Sequence, residues 1–372
     1  MNGFLAVLRN EITLIRRDVL YLLLLTMGAM VTLVTMAYTL SGDIANVPTL
    51  VVNFDRGSRG RQLVQAFAND NFFALEMTDR VAEAERRLQE GSANVALVIP
   101  ADYSRSIDRG EPVRVQALID GSEPGVAELA CHHIAAIASN TTQRIAVKDM
   151  IRRGMSVVPP LGYQPRIRYN AGLRTVVSVT PGLMACVLIV PAVGASAAFA
   201  RERERGSFEV VISTPLGRWP LLLGRTLPYV LLGLFDIGIF TAVAHLAFDL
   251  PLRGNLLLFT LMGLLYILAT ASSGVLIAQF LRTQHAAAIA TFMLFGIAPT
   301  YLSDIFFPIS SMPRWLQGVA TALPATHFTV VARGILLKGV GLKVLWPNAL
   351  VMFATSVVAG TLAYWRFRKT LD

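Results

Sequence analysis

The sequence predicts an α-helical membrane protein of six transmembrane helices, with an α/β domain inserted after the first and lying on the extracytoplasmic side. Three observations predict it. Apolar residues make up 54% of the 372-residue chain and charged residues only 15%, where soluble domains carry about a quarter; mean hydropathy is +0.56. The apolar excess is gathered into runs that cross a bilayer core when helical, about 20 residues at about 1.5 Å of rise each. Residues 41–174 lack such runs and carry strand and turn signals instead.

In chain order, residues 1–18 read as a cytoplasmic, amphipathic, interfacial helix. Phe4, Leu8, Ile12 and Ile15 share one face, and Arg9, Arg16 and Arg17 can reach headgroups; a frayed basic tail is the alternative. Val19–Leu40 is free of charge and too long for a signal-peptide core, so it is expected to stay as the first span. Further spans are expected at Val176–Ala200, Leu221–Phe248, Asn255–Leu281, Ala286–Leu302 and Trp346–Trp365. Of these only Leu221–Phe248 carries charge, at Arg225 and Asp236, beside His245. The four tryptophans, Trp219, Trp315, Trp346 and Trp365, fall near span ends or between spans, as indole does at the headgroup level.

Six spans place both termini on one side. The short segments on that side hold 12 Lys+Arg (Arg9, Arg16, Arg17, Arg201, Arg203, Arg205, Arg218, Arg225, Arg282, Arg366, Arg368, Lys369), and the opposite short segments hold five (Arg253, Arg314, Arg333, Lys338, Lys343). The richer side is cytoplasmic by the positive-inside rule. The insert's own 16 Lys+Arg, against 15 Asp+Glu, would reverse that count, but long domains translocate largely regardless of charge. The net charge of +9 is spread along the chain and forms no single stripe, so no nucleic-acid partner is expected.

Within the insert, Pro48–Asp55, Phe72–Thr78, Asn94–Ile99 and Val113–Ile119 read as strands. Helices are expected from a Ser58 cap to about Asn69, over Val81–Gln89, and from Gly125 to about Arg152, with Leu129, Ile134, Ile137 and Ile145 facing the core. Val158-Pro159-Pro160 breaks structure, and Pro165–Tyr169 can return as a strand. Two cysteines, Cys131 and Cys186, exclude a disulfide scaffold. His132 and His133 are adjacent on a helix and diverge, a poor metal pair. Asp120–Gly121 and Asp55-Arg56-Gly57 read as turns. The nearest glycine-rich piece, Gly57–Arg61, lacks the spacing and lysine of a P-loop, so the chain is not expected to hold ATP by itself.

Residues 201–215 read RERERGSFEVVISTP. Ser207 can cap a short helix whose first turn carries Glu209, favourable at a positive helix end, and Pro215 stops it. A solvated charged loop fits these residues equally. The pattern closely resembles the cytoplasmic connection of ABC-2 type transporter permeases, R-E-[RK]-E-x-G-[ST]-x-E-x-[LI]-x-x-[TS]-P. IFFPISSMP at 305–313, PATHFTVVARGILLKG at 324–339, and the insert's VALVIPADYSRSIDRGEPVRVQALIDGSEP at 95–124 resemble the branch with a large extracytoplasmic domain. Two departures stand out: Asp304 follows Ser303 where the family usually has glycine, and Asp236 is an unexpected acid in mid-span.

The resemblance implies a permease subunit of an exporter in the bacterial inner membrane, half of a dimer with a second copy or a paralogue. A separate ATP-binding subunit would hold ATP and magnesium. Glu202, Arg203, Glu204, Gly206, Ser207, Glu209, Thr214 and Pro215 would couple the two. Asp236, Asp304, Pro308, Pro313, Pro324 and Arg333 are candidates for the pathway or gate, with outer gate helices within 303–345. Asp236 could face substrate, pair with a neighbouring helix, or carry a proton. The insert is expected either to meet a periplasmic adaptor protein or to act as a lid. The alternative to transport is a membrane-anchored sensor or assembly scaffold.

Overall fold

A computed structural model describes residues 2–40, 45–152, 168–170, 174–204 and 217–367. The chain divides into two compact units, residues 1–42 with 166–372, and residues 43–165.

The first unit opens with α1 (Asn2–Arg17), followed by α2 (Val19–Leu23), a π turn (Leu24–Gly28) and α3 (Ala29–Leu40). Three of the four residues of the expected α1 face, Phe4, Leu8 and Ile15, turn inward. Phe4, Val7 and Leu8 are half-buried and Ile15 is buried, but Ile12 is exposed and its place is taken by buried Glu11.

The second unit is a four-stranded sheet in the order β2-β1-β3-β4, from β1 (Val47–Asn53), β2 (Phe73–Thr78), β3 (Val95–Ile99) and β4 (Gln116–Ile119). The β1 strand is parallel to β2 and β3, and β4 is antiparallel to β3. Side chains alternate across the sheet. Leu50, Val52 and Ala96 pack with Ala84 of α5 (Val81–Gln89). Val51 and Leu97 face the other way, toward α4 (Ser58–Ala68), α6 (Tyr103–Arg109) and α7 (Pro124–Arg152). The α6 helix was not expected from the sequence; of the expected α7 core residues Ile137 is buried and Ile134 packs against the core, but Leu129 is exposed and Ala130 faces inward in its place.

Ser58 does not cap α4: the cap residue is Gly57. The free N–H groups are met from elsewhere in the chain. Gly60 N–H donates to Asp55 Oδ2 at 3.0 Å and Arg59 N–H to Ser104 Oγ at 3.2 Å. Ser104 O–H donates to Asp55 Oδ2 at 2.6 Å. The glycine-rich piece therefore cradles the chain's own carboxylate. A Cβ on Gly60 would lie 2.5 Å from Asp55 Oδ2.

The first unit resumes with α8 (Thr175–Val187) and α9 (Val190–Glu204), which together make a span-length segment, Thr175–Arg201. It continues through α10 (Arg218–Phe248), α11 (Leu256–Ala278), α12 (Gln284–Phe292), a π turn (Met293–Ile297) and α13 (Ala298–Leu302). Then come α14 (Arg314–Ala322), α15 (Pro324–Ala332) with a π turn (Arg333–Leu337), and α16 (Leu342–Arg366). Among the described residues, five helical segments have the length and apolarity to cross a membrane. They correspond to the expected second to sixth spans. The expected first span is helical but contributes only a shorter apolar helix, Leu25–Thr39, and the 76° bend between α14 and the segment Pro324–Leu337 marks either a broken span or a re-entrant loop.

Close packing follows small residues. Gly263 on α11 admits Ile237, and Gly274 lies against Ala192 O, Ser196 and Thr291. Asn255 caps α11, its Oδ1 accepting from Leu257 N–H at 2.8 Å and Leu258 N–H at 3.2 Å. The outer faces carry exposed Leu231, Phe235, Leu246, Leu257 and Phe353, a surface suited to lipid rather than water.

Candidate transport pathway and coupling site

Three clusters of polar side chains are built into the first unit. The first gathers at the end of α9 that leads into residues 205–216. Glu11 of α1 is buried and accepts from Tyr229 O–H at 3.0 Å and from Arg201 Nη2 at 3.2 Å. The α1 helix can come this close because Gly224 of α10 has no side chain: a Cβ there would lie 3.0 Å from Val7 Cγ1. Buried Arg225 lies over the Phe199 ring, 5.5 Å from its centroid. Arg203 donates to Gln279 O at 2.8 Å, just past α11, and Gln279 Nε2 donates to Ala363 O of α16 at 2.8 Å. Glu204 Oε2 accepts from Gln284 N–H at 2.9 Å, so a carboxylate sits at the positive end of α12. The start of the connection is thus tied to the ends of two further spans.

The second cluster is one residue. Asp236 is 1% exposed in the middle of α10, and its Oδ1 has no hydrogen-bond partner among the described residues. The neighbouring turns pack tightly, Gly233 against Pro191 and Ile267, and Ile237 against Gly263. Thr329 Oγ1 on α15 is likewise buried and without a hydrogen-bond partner among the described residues. Burying a carboxylate without a partner is costly, and such groups inside spans mark functional sites by default.

The third cluster joins two predicted residues. Arg333 Nη1 donates to Asp304 Oδ2 at 2.9 Å, Nη2 to Ile305 O at 3.1 Å and Nε to Ser178 O at 3.2 Å. One guanidinium thereby ties α8, the segment after α13 and the π turn after α15. Asp304 has φ +58°, the left-handed region, which glycine enters freely and aspartate tolerates. The backbone explains why glycine suits this position, and the ion pair explains what aspartate adds.

Of the other predicted residues, Pro308 precedes a 3₁₀ turn, Pro313 precedes α14, and Pro324 opens α15 and is buried. Gly206, Ser207, Glu209, Thr214 and Pro215 lie outside the described residues, as do the break at Val158–Pro160 and most of the Pro165–Tyr169 strand; Glu202 lies in α9. Glu11, Arg201, Tyr229 and Gln279 were not foreseen. One signal was available: Glu11 is an acid within an otherwise apolar helical stripe.

A family model described as ABC-2 family transporter protein matches residues 17–365. The chain belongs to the ABC-2 transporter family. Among relatives, the probable multidrug ABC transporter permease YbhR of Escherichia coli is 26% identical over 96% of this chain and 98% of its own length. The inner membrane transport permease YhhJ of Escherichia coli is 25% identical, covering 92% and 93%. ABC transporter G family member 20 of Dictyostelium discoideum is 24% identical over 94% of this chain, which spans 47% of that longer protein. This ABC-2 chain is therefore a multi-pass membrane permease subunit, and its family implies an ATP-binding subunit as partner.

Proposed function

We propose that this permease exports an amphipathic or lipophilic substrate across a bacterial inner membrane. Six spans (19–40, 175–201, 218–248, 256–278, 284–302 and 342–366) hold both termini in the cytoplasm, with residues 41–174 outside. ATP and magnesium belong to a separate subunit that docks on residues 201–215. A second copy or a paralogue completes the pathway, the bent helices between 303 and 345 gate its outer end, and an adaptor receives substrate at the insert. The words "probable multidrug" in the name of YbhR support the substrate class.

The observation that carries this reading is the latch at the start of the connection. Arg203 and Glu204 grip the ends of α11 and α12, so a displacement imposed on the connection by a closing ATPase moves spans directly. Glu209→Lys is expected to abolish substrate-stimulated ATPase activity and transport in the complex while leaving membrane insertion intact; normal transport by that variant removes the assignment. Exposed Cys131 of α7 reports the side of the insert. A membrane-impermeant thiol reagent is expected to label it in spheroplasts, and labelling only after lysis would place the insert inside.

A further inference from the structure

The α7 helix packs on the insert's sheet at Ala130 and Ile137, both buried. Farther along it stands off, and a cavity of about 500 Å³ separates it from the sheet and α6. The walls include Leu63, Phe67, Leu97, Tyr103, Ile107 and Ile134, with Glu111 as the charged wall residue. A second cavity, about 350 Å³, shares Thr141 and Ile145 with the first. Its lining is of another kind: Arg59, Arg144 and the amides Gln62, Gln65 and Asn69, with no acid. Arg59 is engaged by Asp108 at 3.3 Å. Arg144 is exposed and has no ion-pair partner among the described residues.

The larger cavity is apolar along most of its wall and open to solvent on one side, so it leaves apolar surface for a ligand to cover. Its volume lies in the range of small-molecule sites, which join apolar walls to a few placed polar groups. We propose that the two cavities form one site for a fatty-acid-like amphiphile. The apolar chain lies in the chamber between α7 and the sheet, and the terminal carboxylate meets Arg144 and the neighbouring amides. This deepens the export reading, resting on it only for the direction in which the ligand is passed on.

The test uses the full-length chain in nanodiscs, without ATPase subunit or nucleotide. A long-chain fatty acid carrying a diazirine near its methyl end is photolysed, and the labelled peptides are mapped by mass spectrometry. Label is expected on segments 97–117 and 134–146, removed by competing dodecanoate and about tenfold less effectively by dodecanol. Each methylene removed from the competitor should weaken it about fourfold. Arg144→Glu, at an exposed position, should lower labelling of the insert about tenfold, and Arg144→Lys should retain most of it. Ala138→Trp should block the chamber. Label confined to the spans, equal competition by the alcohol, or indifference to both Arg144→Glu and Ala138→Trp would overturn the site. Since no transport is read, such a failure would leave the export reading standing, while a failed Glu209→Lys test would leave this site untouched.

Discussion

Two buried carboxylates, Asp55 in the insert and Asp236 in the membrane unit, are treated in opposite ways. In the insert, Asp55 is 7% exposed and its oxygens accept from the Ser104 hydroxyl and from backbone N–H groups of Ser104 and Gly60. Burial works to raise its pKa, but these hydrogen bonds, with one from Gly57, outweigh it and hold the carboxyl below its ordinary value. In the membrane unit, Asp236 is still more deeply buried and its Oδ1 has no hydrogen-bond partner among the described residues. Asp304 and Glu11 lie between these extremes, each with an arginine. A fully satisfied carboxylate stabilises the fold it sits in. One left without a hydrogen bond on one oxygen adds no such stabilisation.

That contrast can be broken by substitution. The largest effect is expected from Asp55→Ala, which strands the Gly60 N–H at the start of α4 and the N–H and hydroxyl of buried Ser104. The insert should lose about 3 kcal/mol or more, by the usual worth of hydrogen bonds to a charged group. Amide hydrogen exchange across residues 47–119 of the full chain measures it, and unchanged protection would mean that Asp55 is no more structural than Asp236.

Next comes Glu11→Ala. Removing one partner from a buried charged cluster costs about 3 kcal/mol, reduced here because Arg201 is 24% exposed. Loss of α1 docking, read by protease sensitivity near residue 17, should accompany impaired ATPase stimulation. The Asp304–Arg333 pair is smaller. A double-mutant cycle on thermal stability should give a coupling of about 1 kcal/mol, and a coupling near zero would reduce Arg333 to its two carbonyl contacts.

Asp236→Asn should move stability least, by under about 1 kcal/mol, because no hydrogen bond to Oδ1 is lost. Transport decides its role: a fall of about tenfold or more is expected, and wild-type transport would remove any need for the charge. Acid offers a graded test of the Asp55 side. Its folded pKa is depressed, so its contribution is fully present above the unfolded value near 3.9 and fades as pH falls through the lower folded value. Asp55→Asn should flatten that part of the insert's pH profile.

Much of this molecule is legible one residue at a time. A run such as 256–278 has a single low-energy fate in lipid, because every backbone N–H and C=O must be bonded within the helix. The insert's strands are short runs rich in β-branched and apolar residues, so their existence could be read although their ends shift by one to three residues, as at Val113–Ile119 against Gln116–Ile119. The prolines at 308, 313 and 324 mark breaks because proline lacks the donor that a helix needs.

The candidate site was only half legible. Asp236 stands out in any scan for charge within an apolar run. That Asp304 reaches Arg333, 29 residues on, was not visible, since nothing local brings them together. Ser58 illustrates the limit, for local propensity names it as the cap, but a carboxylate at 55 and a hydroxyl at 104 do the capping.

By itself, the sequence determined the class of protein, the sites of the apolar helices, the α/β character of the insert and the family, because these follow from hydrophobic period, backbone chemistry and motif. Only the tertiary structure decided which polar groups are paired: that Glu11 turns inward, that Arg203 and Glu204 grip neighbouring helices, and that Asp236 Oδ1 has no hydrogen-bond partner among the described residues. Such pairings depend on side chains distant in the chain meeting within about 3 Å, a condition set by packing and invisible to any local window.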